Sequence, residues 1–175
     1  MAVSPNNNAG GIVTFIVKTN GSVIPDEIAV FSINIEKKVN QVPIAKIVII
    51  DGDPATGKFE ASSSNTFLPG ADIIIEAGYD SKNELLFKGV ITGQSIRIDD
   101  SVGATLEIEC RDPAVKMTVG RKSRSFSQMR DSDIISSIIG NYGLSSVVTT
   151  TTTVWPEQVQ YYVSDWDYVL ALAET

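Results

Sequence analysis

Hydrophobic and polar residues alternate with a period of two along the chain from Gly11 to about Arg111. In "FSINIE", Phe31, Ile33 and Ile35 face one way and the polar residues between them face the other. The same alternation returns in "ADIIIEAGYD", "SIRIDD" and "ATLEIECRD", and turn-forming residues separate these stretches. Short consecutive strands joined in this way predict an antiparallel barrel or sandwich.

The period changes to that of a helix after Arg130. Five residues of "DSDIISSIIGNYGL" share one helical face: Ile134, Ile135, Ile138, Ile139 and Tyr142. Ser132 or Asp133 is expected to cap the start of this helix, and Gly140 or Gly143 is expected to end it. The pattern predicts a short amphipathic helix.

A Thr-rich strand is predicted next, from Val147 to Val154, and a second helix follows in "SDWDYVLALAET". Ser164 and Asp167 have the spacing of a capping box. The apolar stripe of this helix is predicted to contain Trp166, Val169, Leu170 and Ala173. The sequence ends after about two and a half turns of the helix, which leads us to expect a fragment of a longer protein.

Composition narrows the classes of function. A hydrophobic content of 43% over 175 residues predicts a folded chain, and a net charge of −7 argues against general attraction to nucleic acid or anionic lipid. Histidine is absent, which excludes Ser/His/Asp triads and zinc sites that use histidine. Cys110 is the single cysteine, so no intrachain disulfide can form, and its alternation with Leu106 and Ile108 predicts a buried thiol.

The N-terminal stretch "MAVSPNNNAGG" has neither the basic start nor the apolar core of a secretion signal. No apolar run approaches the roughly 18 residues of a membrane span. We therefore expect a soluble chain without a conventional signal peptide.

One stretch has the spacing of a phosphate-binding loop, because Gly52 is followed after four residues by Gly57 and Lys58. Phe59 stands where a working loop has Ser or Thr, and the residues after it lack the apolar spacing of a helix. Acidic residues beside the loop would repel an anion. The sequence therefore predicts a turn between strands, without nucleotide affinity.

A run of basic residues lies in "KMTVGRKSRSFSQMR", where Phe126 could stack on a base. Its cations are Lys116, Arg121, Lys122, Arg124 and Arg130. Because they are few and the rest of the chain is acidic, we interpret the run as a solvated or protein-contacting patch rather than a nucleic-acid site.

Two pairs of neighbouring carboxylates could serve in general acid–base catalysis: Asp99 with Asp100, and Asp165 with Asp167. The first pair is predicted at a strand end and the second at a helix N-terminus, where acids are favoured without any catalytic role. Neither belongs to a calcium-binding loop. We therefore predict no catalytic, cofactor-binding or metal-binding residue.

Several segments, taken in order, resemble the N-terminal part of VgrG proteins. They are "FLPGADIIIEAGYD", "LLFKGVITGQSIRI", "LEIECRDPAVKMTVGRKSRSF", "DSDIISSIIGNYGL" and "VSDWDYVLALAE". The most specific places are Phe87-Lys88-Gly89, the "DSDII" helix with its "YGL", and Trp166-Asp167. VgrG proteins are the spike hubs of type VI secretion and related contractile injection systems, and are similar to phage baseplate hub and late control D proteins.

The resemblance implies a mainly β fold with minor α. An antiparallel, hub-like β-barrel is expected over residues 1–115, and the start of a truncated α+β hub domain over residues 116–175. The family's hub is a homotrimer that docks on the hexameric inner tube and meets baseplate proteins and, in some cases, effectors. The needle that punctures membranes lies beyond these residues.

The resemblance further implies no enzyme activity, no cofactor and no nucleic-acid partner, with a membrane only as the target of the complete spike. Assembly is expected in the cytoplasm, with export on the tube into a target cell or the medium. The alternative is a stand-alone β-rich module that binds carbohydrate or another ligand. An exposed aromatic platform would favour it, and a buried Trp166 would count against it.

An enzyme is the third hypothesis. It would require an anion-binding concavity formed by Lys58 and the backbone near Gly57.

Overall fold

The computed structural model describes residues 11–52, 58–99 and 103–174. The chain divides into two compact units, over residues 1–112 and 113–175. The assignment of residues 1–115 and 116–175 to two hub domains stays a prediction.

The first unit is built on one antiparallel sheet of seven strands. They are β1 (Val13–Thr19), β2 (Ser22–Val23), β3 (Ala29–Glu36), β4 (Ile44–Ile50), β5 (Asp72–Tyr79), β6 (Lys82–Asp99) and β7 (Gly103–Arg111). They pair in the order β2-β1-β5-β6-β7-β4-β3, and one helical turn, α1 (Glu60–Ser63), lies between β4 and β5. The predicted fold class, mainly antiparallel β with minor α, is confirmed.

Alternate residues of these strands form one hydrophobic core. Those that are fully buried include Ala45, Ile47, Ile49, Ile73, Ile75, Leu106, Ile108 and Cys110. Because side chains alternate across a strand, one face of β4, β5 and β7 supplies most of this core, and most residues of the other face are less buried. The predicted burial of the thiol is confirmed.

Two tight features shape the sheet. The predicted turn between β5 and β6 has positive φ at Asp80 and Ser81, 50° and 64°, as in a type I′ hairpin turn. A Cβ added to Gly89 would lie 2.4 Å from the carbonyl oxygen of Arg111 and 2.6 Å from the ring of Phe87. The "FKG" segment of β6 therefore needs glycine for close packing. The sequence also predicts a turn over Ser101, Val102 and Gly103, of which Ser101 and Val102 lie outside the described residues.

The second unit contains a 3₁₀ helix (Pro113–Thr118), β8 (Lys122–Met129), α2 (Asp131–Gly140), β9 (Trp155–Val163) and α3 (Asp165–Ala173). Strands β8 and β9 form an antiparallel pair. The buried core of this unit consists of Met117, Ile134, Ile135, Ile138 and Val169.

The predicted Thr-rich strand from Val147 to Val154 is wrong. Residues 145–154 have no regular secondary structure, and the strand that pairs with β8 is β9. Side chains of β9 support this position, since Gln158 and Gln160 donate hydrogen bonds to the buried carboxylates of Asp131 and Asp165. A run of threonines has strand propensity but no such partners.

Helix α2 ends at Gly140, as predicted, but its predicted cap is wrong. Arg130 is the N-cap and makes no side-chain capping bond. The Oγ of Ser132 instead accepts a hydrogen bond from the backbone N–H of Thr151 at 3.3 Å.

Helix α3 begins as predicted, because the Oγ of Ser164 accepts from the backbone N–H of Asp167 at 3.1 Å. The predicted apolar stripe is partly wrong. Val169 is buried and Trp166 is half-buried against the core, but Ala173 is exposed, and Tyr168 and Leu172 are the other residues of this helix that pack on the core.

Candidate functional site

A buried carboxylate with four donors is the most polar feature inside the second unit. Asp165, 1% exposed, accepts hydrogen bonds from the Nζ of Lys122 (2.8 Å), the hydroxyl of Tyr142 (2.6 Å), the Nε2 of Gln160 (2.8 Å) and the Nη2 of Arg124. We call these five residues the Asp165 cluster.

Local structure explains how the cluster forms. Lys122 and Arg124 occupy alternate positions of β8, so both side chains lie on one face, and Arg124 stands opposite Gln160 in β9. Asp165 is the first residue of α3, directly after the Ser164 cap. Tyr142 follows the end of α2.

The charges stabilise each other strongly. Burial disfavours the ionised form of Asp165, but hydrogen bonds from Lys122, Tyr142 and Gln160 and the charge of Arg124 outweigh it and hold the pKa at about 2. The hydrogen bond to Asp165 correspondingly raises the pKa of Lys122. The cluster is therefore an ionised network at neutral pH, and its acid cannot act as a proton donor there.

The cluster corrects one sequence interpretation and agrees with another. Lys122 and Arg124 do not form a solvated basic patch, because their cations are paired with Asp165. Asp165 and Asp167 lie in the first turn of α3, at the helix N-terminus where the sequence places them. Asp167 is exposed, and its carboxylate accepts from the hydroxyl of Ser164 at 2.6 Å. The alternation of Lys122 and Arg124 with serines was the available sequence signal for an inward-facing basic pair.

The remaining basic residues are dispersed. Arg121 stacks over the ring of Tyr162 at 5.2 Å, and Lys116 is exposed in the 3₁₀ helix. Phe126 is half-buried and stacks on Tyr168 with ring centroids 5.9 Å apart. Its ring therefore belongs to the core and does not offer a face to a nucleotide base.

Next to the stretch with phosphate-loop spacing, a carboxylate of the protein itself caps the helical turn α1. The carboxylate of Asp51, itself buried, accepts from the backbone N–H groups of Ala61 (2.9 Å) and Ser62 (2.8 Å). The prediction that no helix follows Lys58 is wrong, because the single turn α1 follows it. The amides of α1 that could bind an anion already donate to the carboxylate of Asp51. The turn predicted over Gly52–Lys58 lies largely outside the described residues, which omit 53–57.

A cleft of about 850 Å³ lies in the second unit beside residues 145–154, which we call the Thr-rich segment. Its lining includes Asp131, Ile135, Ile139, Trp155 and Leu172 together with hydroxyl groups of the segment. The carboxylate of Asp131 accepts from the indole Nε1 of Trp155 at 3.1 Å and from the Nε2 of Gln158. The cleft thus combines an apolar floor with a hydroxyl-rich wall.

The described ranges 11–52, 58–99 and 103–174 hold neither a candidate metal site nor a candidate membrane-spanning helix. They contain no group of three or more His, Cys, Asp or Glu side chains that could hold a metal ion. None of the helices described there has the length and apolar character needed to cross a membrane. Asp99 ends β6, as predicted, and Asp100 lies outside the described residues.

Comparison with known proteins identifies the family. The family model for the Alg8 N-terminal domain matches residues 9–175. The chain belongs to this family. No curated protein matches the chain significantly.

Solved structures share its fold. They include the 43 kDa tail protein of prophage MuSo2 from Shewanella oneidensis (13% identity, TM-score 0.60, 91% of this chain and 48% of that one). The E. coli c3393 protein, described as a component of the type VI secretion system similar to the T4 tail proteins gp27 and gp5, matches at 14% identity and TM-score 0.66, over 89% of this chain and 42% of that one. A tail protein from Neisseria meningitidis MC58 matches at 12% identity and TM-score 0.59, over 93% and 45%.

The chain therefore has the fold found in phage tail and type VI secretion proteins, and it spans less than half the length of these three structures. The sequence resemblance is confirmed at this level of fold. Membership of the VgrG family itself stays a prediction.

Proposed function

We propose that this chain is a structural part of a phage tail-like contractile injection machine. The supporting observation is the shared fold with the type VI secretion component, at a TM-score of 0.66 over 89% of this chain. At 14% identity the likeness concerns the backbone, so the role in assembly is our inference from it.

More specifically, we propose a VgrG-like hub. The longer protein forms a homotrimer at the base of the spike, docks on the hexameric inner tube and contacts baseplate proteins and, in some systems, effectors. It assembles in the cytoplasm and leaves with the tube. It performs no catalysis, which agrees with the internal pairing of Asp165 and the capping role of Asp51.

The oligomeric state tests the hub proposal. We expect this chain to be mainly monomeric in dilute solution, because without a needle its interfaces must offset the entropy of association by themselves. The longer protein should be trimeric by light scattering. A monomeric longer protein, or one that fails to co-purify with tubes of the same machine, would refute the hub role.

A second candidate, a ligand-binding module, is favoured by one observation. Tyr161 and Tyr162, 82% and 64% exposed, lie side by side at a register shift of the β8–β9 pair. Exposed aromatic side chains are common in binding surfaces. Trp166 argues against this candidate, since it packs on the core. Calorimetry with soluble oligosaccharides, comparing the protein with Tyr161→Ser, tests the carbohydrate-binding form of this candidate: the absence of any heat of binding would eliminate it.

A further inference from the structure

The Thr-rich segment has the composition of a strand but lacks a strand partner. It contains Val147, Val148, Val154 and five consecutive threonines, all favourable in β-sheets. Its described residues have no positive φ, so the backbone can adopt an extended conformation. Among the hydrogen bonds of the described chain, its backbone N–H groups contribute one, from Thr151 to Ser132. Val147 is fully exposed.

Two reciprocal hydrogen bonds hold this segment against α2. The backbone N–H of Ser132 donates to the Oγ of Thr151, and the backbone N–H of Thr151 donates to the Oγ of Ser132, both at 3.3 Å. Alternate amides of an extended chain point the same way. In an extended segment the amides of Val147 and Thr149 therefore face the same side as that of Thr151.

The cleft beside the segment can receive side chains. Ile135, Ile139 and Leu172 line it, and the segment forms one wall. An extended peptide in this cleft would pair its backbone with the segment and place every second side chain on the apolar floor. Added strands of this kind gain affinity from main-chain hydrogen bonds and specificity from the pockets for alternate side chains.

Charge restricts the partner further. Asp131 is the only charged residue among the described residues that line the cleft. The carboxylate of Asp131 at the cleft already accepts two hydrogen bonds. An acidic partner would be repelled, and a peptide with basic ends would be attracted at short range.

We propose that the Thr-rich segment is a docking strand for another protein, one that supplies an extended segment with apolar residues at alternate positions and Lys or Arg at its ends. This deepens the proposed function, on which it rests, by naming the surface and the chemistry of an assembly partner.

The test uses a fluorescein-labelled, capped peptide of alternating valine and serine with a lysine at each end. Binding to the intact chain is followed by fluorescence anisotropy, and protection of residues 145–154 by hydrogen-exchange mass spectrometry. We expect saturable binding and slower exchange in the segment. The same peptide with glutamate ends, or with N-methyl groups on alternate amides, should bind at least tenfold more weakly.

Two variants separate backbone pairing from folding. Thr149→Pro removes one amide that makes no hydrogen bond within the described chain, and should weaken binding at least tenfold. Thr149→Val keeps that amide, and its binding should stay within twofold of the parent protein. Circular dichroism establishes that both variants fold; if Thr149→Pro does not, the N-methylated peptide carries the test alone.

Three outcomes overturn the docking strand: no binding of the lysine-ended peptide, equal binding of the N-methylated peptide, or displacement of the peptide by oligosaccharides. If one of them occurs while the longer protein still forms trimers and co-purifies with tubes, the docking strand fails and the hub role stands. If trimers and tubes fail while the peptide binds as expected, the surface stands without the hub role.

Discussion

Replacing Asp165 with asparagine should destabilise the second unit strongly. Asp165→Asn preserves the shape of the side chain but removes the charge that pairs with Lys122 and Arg124. All four partners of the carboxylate in the described chain donate to it, so an amide N–H₂ would face a donor wherever it points.

The magnitude follows from the pKa of Asp165, which falls from an ordinary 3.8 to about 2. At about 1.4 kcal/mol per pKa unit, ionisation of Asp165 stabilises the fold by about 2.5 kcal/mol. Breaking a buried ion pair usually costs about 3–5 kcal/mol. The side chains of Lys122 and Arg124 are 40% and 31% exposed and can regain water, so we expect a loss of about 3 kcal/mol in the free energy of unfolding.

Urea unfolding followed by tryptophan fluorescence measures this change, because both tryptophans, Trp155 and Trp166, lie in the second unit. Asp167→Asn is the matched control. It lies in the same first turn of α3 and shares the helix-dipole contribution, but its carboxylate is exposed. The control should lose about 1 kcal/mol or less.

The effect should also depend on pH. Because folding lowers the pKa of Asp165, the stabilisation is complete above pH 4 and is lost as the pH falls toward 2. The difference between Asp165→Asn and the parent protein should shrink over that range. A loss below 1 kcal/mol at pH 7, a loss equal to that of Asp167→Asn, or a difference independent of pH between 5 and 2.5 would refute the reasoning.

Three further outcomes are expected. Asp51→Ala should lower the free energy of unfolding of the first unit by about 1–2 kcal/mol, through loss of its bonds to Ala61 and Ser62; circular dichroism during thermal unfolding measures this, with Glu60→Ala as control. Burial raises the pKa of Cys110 to about 12, so at pH 8 an aromatic disulfide reagent should modify it in urea and leave the native thiol intact. Trp166→Ala should cost about 2 kcal/mol, since the indole is half-buried; an unchanged urea midpoint would contradict its packing on the core.

Periodicity along the sequence predicted most of the fold. The alternation through Ile73 and Leu106 correctly placed one face of the sheet inside, and the spacing of Ile134 and Ile138 correctly placed α2 on its core. Phe31 was wrongly placed on the same face as Ile33 and Ile35, because a register shift between Val30 and Ser32 leaves it 60% exposed. These predictions succeed because burial depends on the local period of side-chain direction. The Thr-rich strand failed because propensity alone does not supply a partner strand.

The Asp165 cluster could not be predicted in the same way. Its members come from β8, β9, α3 and the residues after α2, and sequence spacing does not show which of these elements meet. Lys122 and Arg124 therefore looked like surface cations. The pairing of β8 with β9 sets Arg124 opposite Gln160, and both side chains reach Asp165 at the start of α3.

Burial of the single thiol has a practical consequence for experiments on this domain. Cys110 is fully buried in β7 and is the only cysteine in the chain. A cysteine introduced at an exposed position, such as Thr152 in the Thr-rich segment, would thus be the only reactive sulfur under native conditions. Spin labels or crosslinkers placed there would report on the docking strand from one defined position, without removal of the native residue.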